Sequence, residues 1–424
     1  MPLPASSDIV IVGAGAAGLA AAIFAGRARP GGGVVIVDGA RTPGAKILVS
    51  GGGRCNVTNA VVAETDFWGA SSHAVRRILR ALPVPETTAF FAELGVPLHE
   101  EPDGKLFPDS NRARDVLEAL VHGAAQAGTT LVPGARVERI ARHGSGFIID
   151  TGLGSIRAGA VVLAAGGQSL PKSGSDGSGY RLAMSLGHSI VAPTPALVPL
   201  RLAPDTPHSV HSGLSGVTVD AELALWIDGG LSIRLRGALL WTHFGISGPV
   251  VLNASRHWTR GTLLGRDVRL AANWYPGLRF DEVERSWIRA ARERPGVTLR
   301  RALVPHLPDA MALAILGALA LAPDRRAAEL TREDRRRLVH ALTDWPLPVV
   351  ETRGYSYAEV TAGGVPLAEI DAATMESRVC PGLYLVGEIL DVDGRIGGFN
   401  FQWAWCTAAI AGRGATRAST PPSG

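Results

Sequence analysis

A short apolar run, Asp8 to Val12, leads into Gly13-Ala14-Gly15-Ala16-Ala17-Gly18 and then into a helical stretch from Leu19 to Arg29. Gly31, Gly32 and Gly33 break the chain before a second apolar run, Val34 to Val37, which ends at Asp38. Unbroken Ile/Val runs are the pattern of strands buried on both faces. The order strand, glycine turn, helix, strand makes one βαβ unit, and its glycine spacing narrows what the unit can do. The first glycine permits a tight turn, the second lets backbone approach a pyrophosphate, and the third lets helix and strand pack closely. The helix N-terminus offers free N–H groups and partial positive charge to phosphates. Asp38, twenty residues beyond Gly18, is placed to bind ribose hydroxyls. A bare GxGxxG is weak, but here every element around it agrees. Gly13, Gly15, Ala16, Ala17, Gly18 and Asp38 are therefore expected to hold the ADP half of a dinucleotide. The acid favours FAD or NAD over NADP, whose extra phosphate it would repel.

At 424 residues the chain exceeds the roughly 250–300 at which a single core stops growing. The expected division is a discontinuous α/β domain, 1–190 and 361–424, interrupted by insertions. These are a β-rich segment at 191–279, a helical segment at 280–344 and a return strand at 345–360. Within the first part, helices are expected at Ala74 to Leu82, Pro85 to Leu94 and Ala113 to Ala127. Strands are expected at Thr130 to Val132, Arg136 to Ile140, Phe147 to Asp150 and Ala160 to Ala164. The helical insertion is Arg-rich outside and Leu/Ala-rich inside, and Pro346 and Pro348 end it. Arg413 to Gly424 reads as a frayed tail.

The balance of 42 basic and 38 acidic side chains, net +4, falls short of the concentrated charge of a nucleic-acid binder, although a local patch stays open. Cys55, Cys380 and Cys406 lie too far apart for a disulfide framework or a four-cysteine metal site. The longest apolar stretch, Met311 to Ala322, is shorter than the ~20 residues that span a bilayer. A cytoplasmic protein without a metal and without a membrane partner is expected, and nucleic acid is an unlikely partner.

No second GxGxxG follows a strand, so later glycine motifs must say which dinucleotide is bound. Gly44 to Asn59 holds glycines, Lys46, Arg54 and several amides and hydroxyls directly after the ribose-binding strand. Only three lysines occur, Lys46, Lys105 and Lys172, and all lie in Gly/Ser/Pro-rich motifs. A lysine kept inside a glycine loop suggests a point charge at a phosphate. Near the other end, Gly387-Glu388 follows an apolar strand, and Gly397-Gly398 opens a helix containing Asn400, Phe401, Trp403 and Trp405. Such an acid suits ribityl hydroxyls. Such a glycine pair can aim N–H groups at the flavin pyrimidine oxygens, where charge collects on reduction.

On these motifs the chain resembles the BaiN-type flavoproteins, which include aminoacetone oxidases and a 3-dehydro-bile-acid reductase. The likeness extends through Gly104 to Ser110, Ala164 to Ser169, Gly174 to Tyr180, Thr242 to Pro249 and Thr361 to Val365. It implies an α/β fold: a glutathione-reductase-like, FAD-binding Rossmann domain with an inserted β-barrel domain and a helical domain. It further implies noncovalent FAD, with adenine against the backbone of Val137. Glu388, Asn400 and Phe401 should line the ribityl–flavin end. Lys46, Gly52, Ala165, Gly166, Gly387, Gly397 and Gly398 join the expected cofactor set.

Flavin supplies the redox chemistry, so the residues must say which. Three readings stay open. One is a reductase of a C=C or C=O bond in a small molecule, with NAD(P)H as electron donor. Another is an amine oxidase using oxygen, and the third is a tRNA-modifying flavoprotein. Arg54 is the expected catalytic cation, stabilising reduced flavin or a substrate oxygen; alternatively it ties its loop to a carboxylate. His243 can serve as acid or base, or be structural. Cys55 reads as packing, Trp403 and Trp405 likewise, and the run Arg332, Arg335, Arg336, Arg337 as a solvated helix face.

Overall fold

The computed structural model describes residues 2–204, 206 and 209–418, in two units: Met1–Pro193 with Glu359–Gly424, and Thr194–Ala358.

In the first unit, strand β1 (Ser6–Val12) pairs in parallel with β2 (Val34–Asp38) and with β6 (Gly154–Leu163). Strand β3 (Thr130–Pro133) extends the sheet in parallel beside β2. The antiparallel strands β4 (Val137–His143) and β5 (Gly146–Thr151) extend it beyond β6. The end of β6 also pairs in parallel with the strand Leu383–Leu385, which joins the two chain segments in one sheet. Ile9, Val10 and Ile11 have no exposure, as double-sided cover of a parallel sheet requires. Helix α1 (Ala16–Ala28) packs against the last helix, Phe399–Ala418; a Cβ at Gly412 would lie 2.6 Å from the Ala21 carbonyl oxygen.

The expected helices are found at Ser72–Leu79, Val84–Glu93 and Ala113–Gln126. Two local readings change. The glycine-dense segment 44–59 begins with a helical turn at Ala45–Val49 and continues through a tight turn at Ser50–Gly53, where Gly51 and Gly52 take left-handed φ of +55° and +69°. The expected frayed tail is helix as far as Ala418, because Ala415 still packs in the core; 419–424 lie outside the described residues.

In the second unit, seven strands form an antiparallel sheet. Its order is β12 (Trp345–Leu347), β11 (Val268–Asn273), β8 (Thr218–Ile227), β9 (Gly230–Thr242), β10 (Gly245–Ser247), β7 (Leu200–Leu202) and β13 (Val349–Thr352). Only Pro348 separates the two edge strands in the chain, so the sheet must curl until its edges meet. That is the expected barrel, turned at a residue with no N–H to donate. Helices Phe280–Glu293, Leu299–Leu303, Asp309–Ala318 and Arg332–Thr343 share one core with it, in which Trp241, Trp274 and Trp345 lie among Leu303, Met311 and Leu338.

Candidate cofactor site

The site gathers where strands β2, β1, β6 and Leu383–Leu385 end, the crevice that open α/β sheets use for ligands. Gly13 has φ +105°, and a Cβ there would lie 2.5 Å from the Ala164 carbonyl oxygen at the end of β6. A Cβ at Gly18 would lie 1.8 Å from the carbonyl oxygen of Gly13. Gly15 differs: its φ is −84°, and a Cβ would meet nothing within 4 Å. Two glycines thus serve packing, and the third leaves an open cradle at the start of α1. An FAD pyrophosphate fits that cradle. Asp38 accepts from the backbone N–H of Ala14 at 2.5 Å and of Ala40 at 2.7 Å, which fixes its carboxylate beside the glycine turn. Gly387 abuts the same turn, since a Cβ on it would lie 2.9 Å from the Ala17 Cβ.

A second cluster joins four distant segments. Lys46 Nζ donates to the Glu388 carboxylate and, at 2.5 Å, to Ser169 Oγ. Glu388 Oε1 accepts from Ser169 Oγ at 2.8 Å and from the Thr361 N–H at 2.9 Å. Thr361 Oγ1 in turn accepts from the N–H groups of Gln168 and Ser169 at 2.8 and 3.0 Å. Lys46 and Glu388, both expected cofactor residues, are thus brought together. Ser169 and Thr361 lay inside recognised glycine motifs but were missed as site residues; their hydroxyls beside glycine pairs were the available signal.

The other expected residues fall into place differently. Gly397 and Gly398 have φ +121° and +94°, and a Cβ on Gly398 would lie 2.4 Å from the Thr58 carbonyl oxygen. The Asn400 side chain closes on the backbone of Gly394, accepting from its N–H at 2.8 Å and donating to its oxygen at 2.9 Å. It shapes the loop before the helix. Phe401 stacks on buried Trp405, with centroids 5.5 Å apart, and Trp403 is buried too. Val137 is buried at the start of β4. Ala165 is half-buried, and Gly166 (φ +70°) faces Ser175, whose buried hydroxyl has no hydrogen-bond partner among the described residues. Gly52 (φ +69°) is exposed with open space at its Cβ position.

The two catalytic candidates, Arg54 and His243, lie in different units and meet different surroundings. Arg54 makes a two-pronged ion pair with Glu101, at 2.6 and 3.2 Å, donates to Asn111 Oδ1 at 3.2 Å and lies over the Phe107 ring at 4.0 Å. The pair joins its loop to the hairpin of Leu98–Glu101 and Lys105–Pro108, a contact of the kind that the loop-tying alternative calls for. The Arg54 hydrogen bond holds the Glu101 carboxyl below its ordinary range. His243, in the second unit, is exposed and meets the edge of Phe244 at 5.1 Å. Three of the four arginines of the run are tied within their own unit: Arg335 to Glu284, Arg336 over Phe280, Arg337 to Asp334. Cys55 is fully buried, and burial pushes its thiol up to about 12. That is no redox thiolate.

The HI0933-like protein Rossmann domain family matches residues 7–414. The chain is 34% identical to a 3-dehydro-bile acid delta(4,6)-reductase of Clostridium scindens, covering 96% of this chain and 98% of that protein. It is 33% identical to a ribosomal RNA dihydrouridine synthase of Escherichia coli, over 95% and 96%, and 32% identical to that of Haemophilus influenzae, over 95% and 96%. Among solved structures it resembles an E. coli quinol fumarate reductase FrdA subunit, with TM-score 0.53 and 18% identity over 99% of this chain and 71% of that one. That likeness concerns the fold alone. No helix among the described residues is long and apolar enough to cross a membrane. With the glycine cradle and the whole-length matches together, the chain belongs to the HI0933-like Rossmann family and is an FAD-dependent oxidoreductase.

Proposed function

We propose that this protein reduces a C=C bond conjugated to a carbonyl, with NAD(P)H as the electron donor. The observation that carries the reading is that relatives with two different names point to one bond type. A 3-oxo steroid with Δ4 unsaturation and a uracil ring both present an alkene polarised by a neighbouring carbonyl. When bound, FAD supplies the hydride that such an alkene accepts at its electrophilic carbon. The chain's own groups do the holding. The Gly13–Gly18 turn and the α1 N-terminus bind pyrophosphate, and Asp38 binds ribose. Lys46 and Glu388, fixed by Ser169 and Thr361, hold the ring end and keep a charged pair ready for a substrate carbonyl.

Charge favours uracil in RNA over a free steroid. Between Thr194 and Ala358 there are 21 arginines against 16 acidic residues, net +5, whereas the rest of the chain carries 21 basic and 22 acidic, net −1. The modest total hid this asymmetry, which on this reading weighs against the expectation that nucleic acid is an unlikely partner.

The test reduces the purified protein anaerobically with NADH or NADPH. It then offers unmodified ribosomal RNA, a 3-oxo-Δ4,6 steroid, or oxygen with aminoacetone. Dihydrouridine in the RNA, read by mass spectrometry, is expected. Oxygen-dependent amine turnover without reduction of either alkene would overturn the reading in favour of an oxidase.

A further inference from the structure

The second unit carries a small cluster that the cofactor chemistry does not use. Phe244 lies in the turn between β9 and β10, and Arg353 directly follows β13. Backbone bonds fix both positions: Leu202 N–H donates to the Phe244 oxygen at 3.1 Å, and Arg353 N–H to the Pro199 oxygen at 3.0 Å. The Arg353 guanidinium carbon lies 3.5 Å from the Tyr357 ring centroid and 4.5 Å from that of Phe244. His243 meets Phe244 edge to face. Tyr357 is 49% exposed and His243 is exposed as well. Among the described residues no carboxylate pairs with Arg353, and neighbouring Glu351 pairs with Arg201.

We infer that His243, Phe244, Arg353 and Tyr357 form a stacking platform for single-stranded RNA. A guanidinium lying on a ring keeps its N–H edge free for a phosphate or base oxygen, while planar faces on either side accept bases. Single-stranded RNA is read by aromatic faces and arginine planes in this way, because every base offers a π-face. The polyanion matches the net +5 of this unit, whose basic side chains are all arginine. The exposed His243 ring stands at 84° to Phe244, so it borders the platform rather than extending its plane. The choice of RNA rests on the proposed function.

The test measures binding of a fluorescein-labelled uridine decamer, and of the same decamer with abasic sites, to the FAD-loaded protein. Tyr357→Ala and Arg353→Ala should each weaken the uridine decamer by about tenfold, the scale of one lost stacking partner. Arg353→Lys should restore little. Arg292→Ala, which removes the same charge elsewhere in the unit, should leave affinity within about twofold. The abasic strand should bind wild type more weakly and gain nothing from Tyr357. Thermal unfolding of each variant, followed by circular dichroism, confirms folding of the unit that carries the substitution. Wild-type affinity in both variants, an equal loss in Arg292→Ala, or no binding by wild type overturns the platform. Dihydrouridine formation on the same preparations separates the two ideas. Platform-dependent binding without reduction leaves the platform and removes the activity; reduction with unaffected variants does the reverse.

Discussion

Substituting Gly15 and Gly18 one at a time should separate cofactor binding from folding inside one six-residue turn. Gly15 has φ −84°, open to any L-residue, and a Cβ there meets nothing within 4 Å. Alanine restricts the unfolded chain, a gain of about 0.4–1 kcal/mol. It is a poorer N-cap than glycine, which offsets that gain, so flavin-free Gly15→Ala should unfold near the wild-type temperature. Its methyl group, however, enters the space that pyrophosphate needs. Losing one charge-assisted backbone contact costs about 1.5–3 kcal/mol, or roughly 10- to 150-fold in FAD affinity. Gly18→Ala behaves oppositely, since its Cβ would stand 1.8 Å from a carbonyl oxygen and α1 must move off the turn. Overpacking of this kind costs about 1–3 kcal/mol or more before any cofactor is added. The assay is thermal unfolding of flavin-stripped protein with and without FAD, together with the flavin-to-protein absorbance ratio. A Gly15→Ala protein that keeps stoichiometric FAD and the full FAD-dependent shift refutes the cradle.

Three further outcomes follow from particular contacts. Arg54→Ala should lose stability or flavin before it loses rate. Because Arg54 lowers the Glu101 pKa from an ordinary 4.5, that difference in stability should be present at neutral pH and fade as pH falls through the lowered value. Full occupancy with a large rate loss would restore a catalytic Arg54. The thiols Cys55 and Cys406, both pushed up to about 12 by burial, and Cys380, raised by burial, should resist an aromatic disulfide reagent at pH 8 in the native protein. All three should react in denaturant, and a fast native thiol would contradict this. His188, with no side-chain exposure, pairs with Glu369 at 2.6 Å and Ser377 at 2.8 Å, so His188→Ala should cost about 2–4 kcal/mol in chemical denaturation. A change below about 0.5 kcal/mol would show the pair to be dispensable.

The deletion that the domain reading invites, 280–343, is not a clean experiment. Leu303, Met311 and Leu338 of those helices pack with Trp241 and Trp345 of the barrel, so the cut would open its core. Amphipathic periodicity shows that a helix has an inward face, not what that face meets.

The dinucleotide turn was legible because its requirements are local. A tight turn, a close helix and a strand buried on both faces each constrain residues within a few positions, and glycine and Ile/Val runs record those constraints directly. The family motifs likewise marked the expected cofactor residues, yet not their partners. Lys46 meets Glu388 across 342 positions, and Arg54 meets Glu101 across 47. Asn400 closes on Gly394 because the last helix begins where the preceding loop returns. A side chain's charge and reach are written in its identity, but whether a carboxylate, a ring or open space stands within that reach is decided by packing between distant segments. Hence the sequence by itself determined that an FAD-type βαβ site exists. Only the tertiary structure decided that Lys46 and Glu388 form a charged pair, that Arg54 is tied to a hairpin, and that His243 lies exposed beside Phe244.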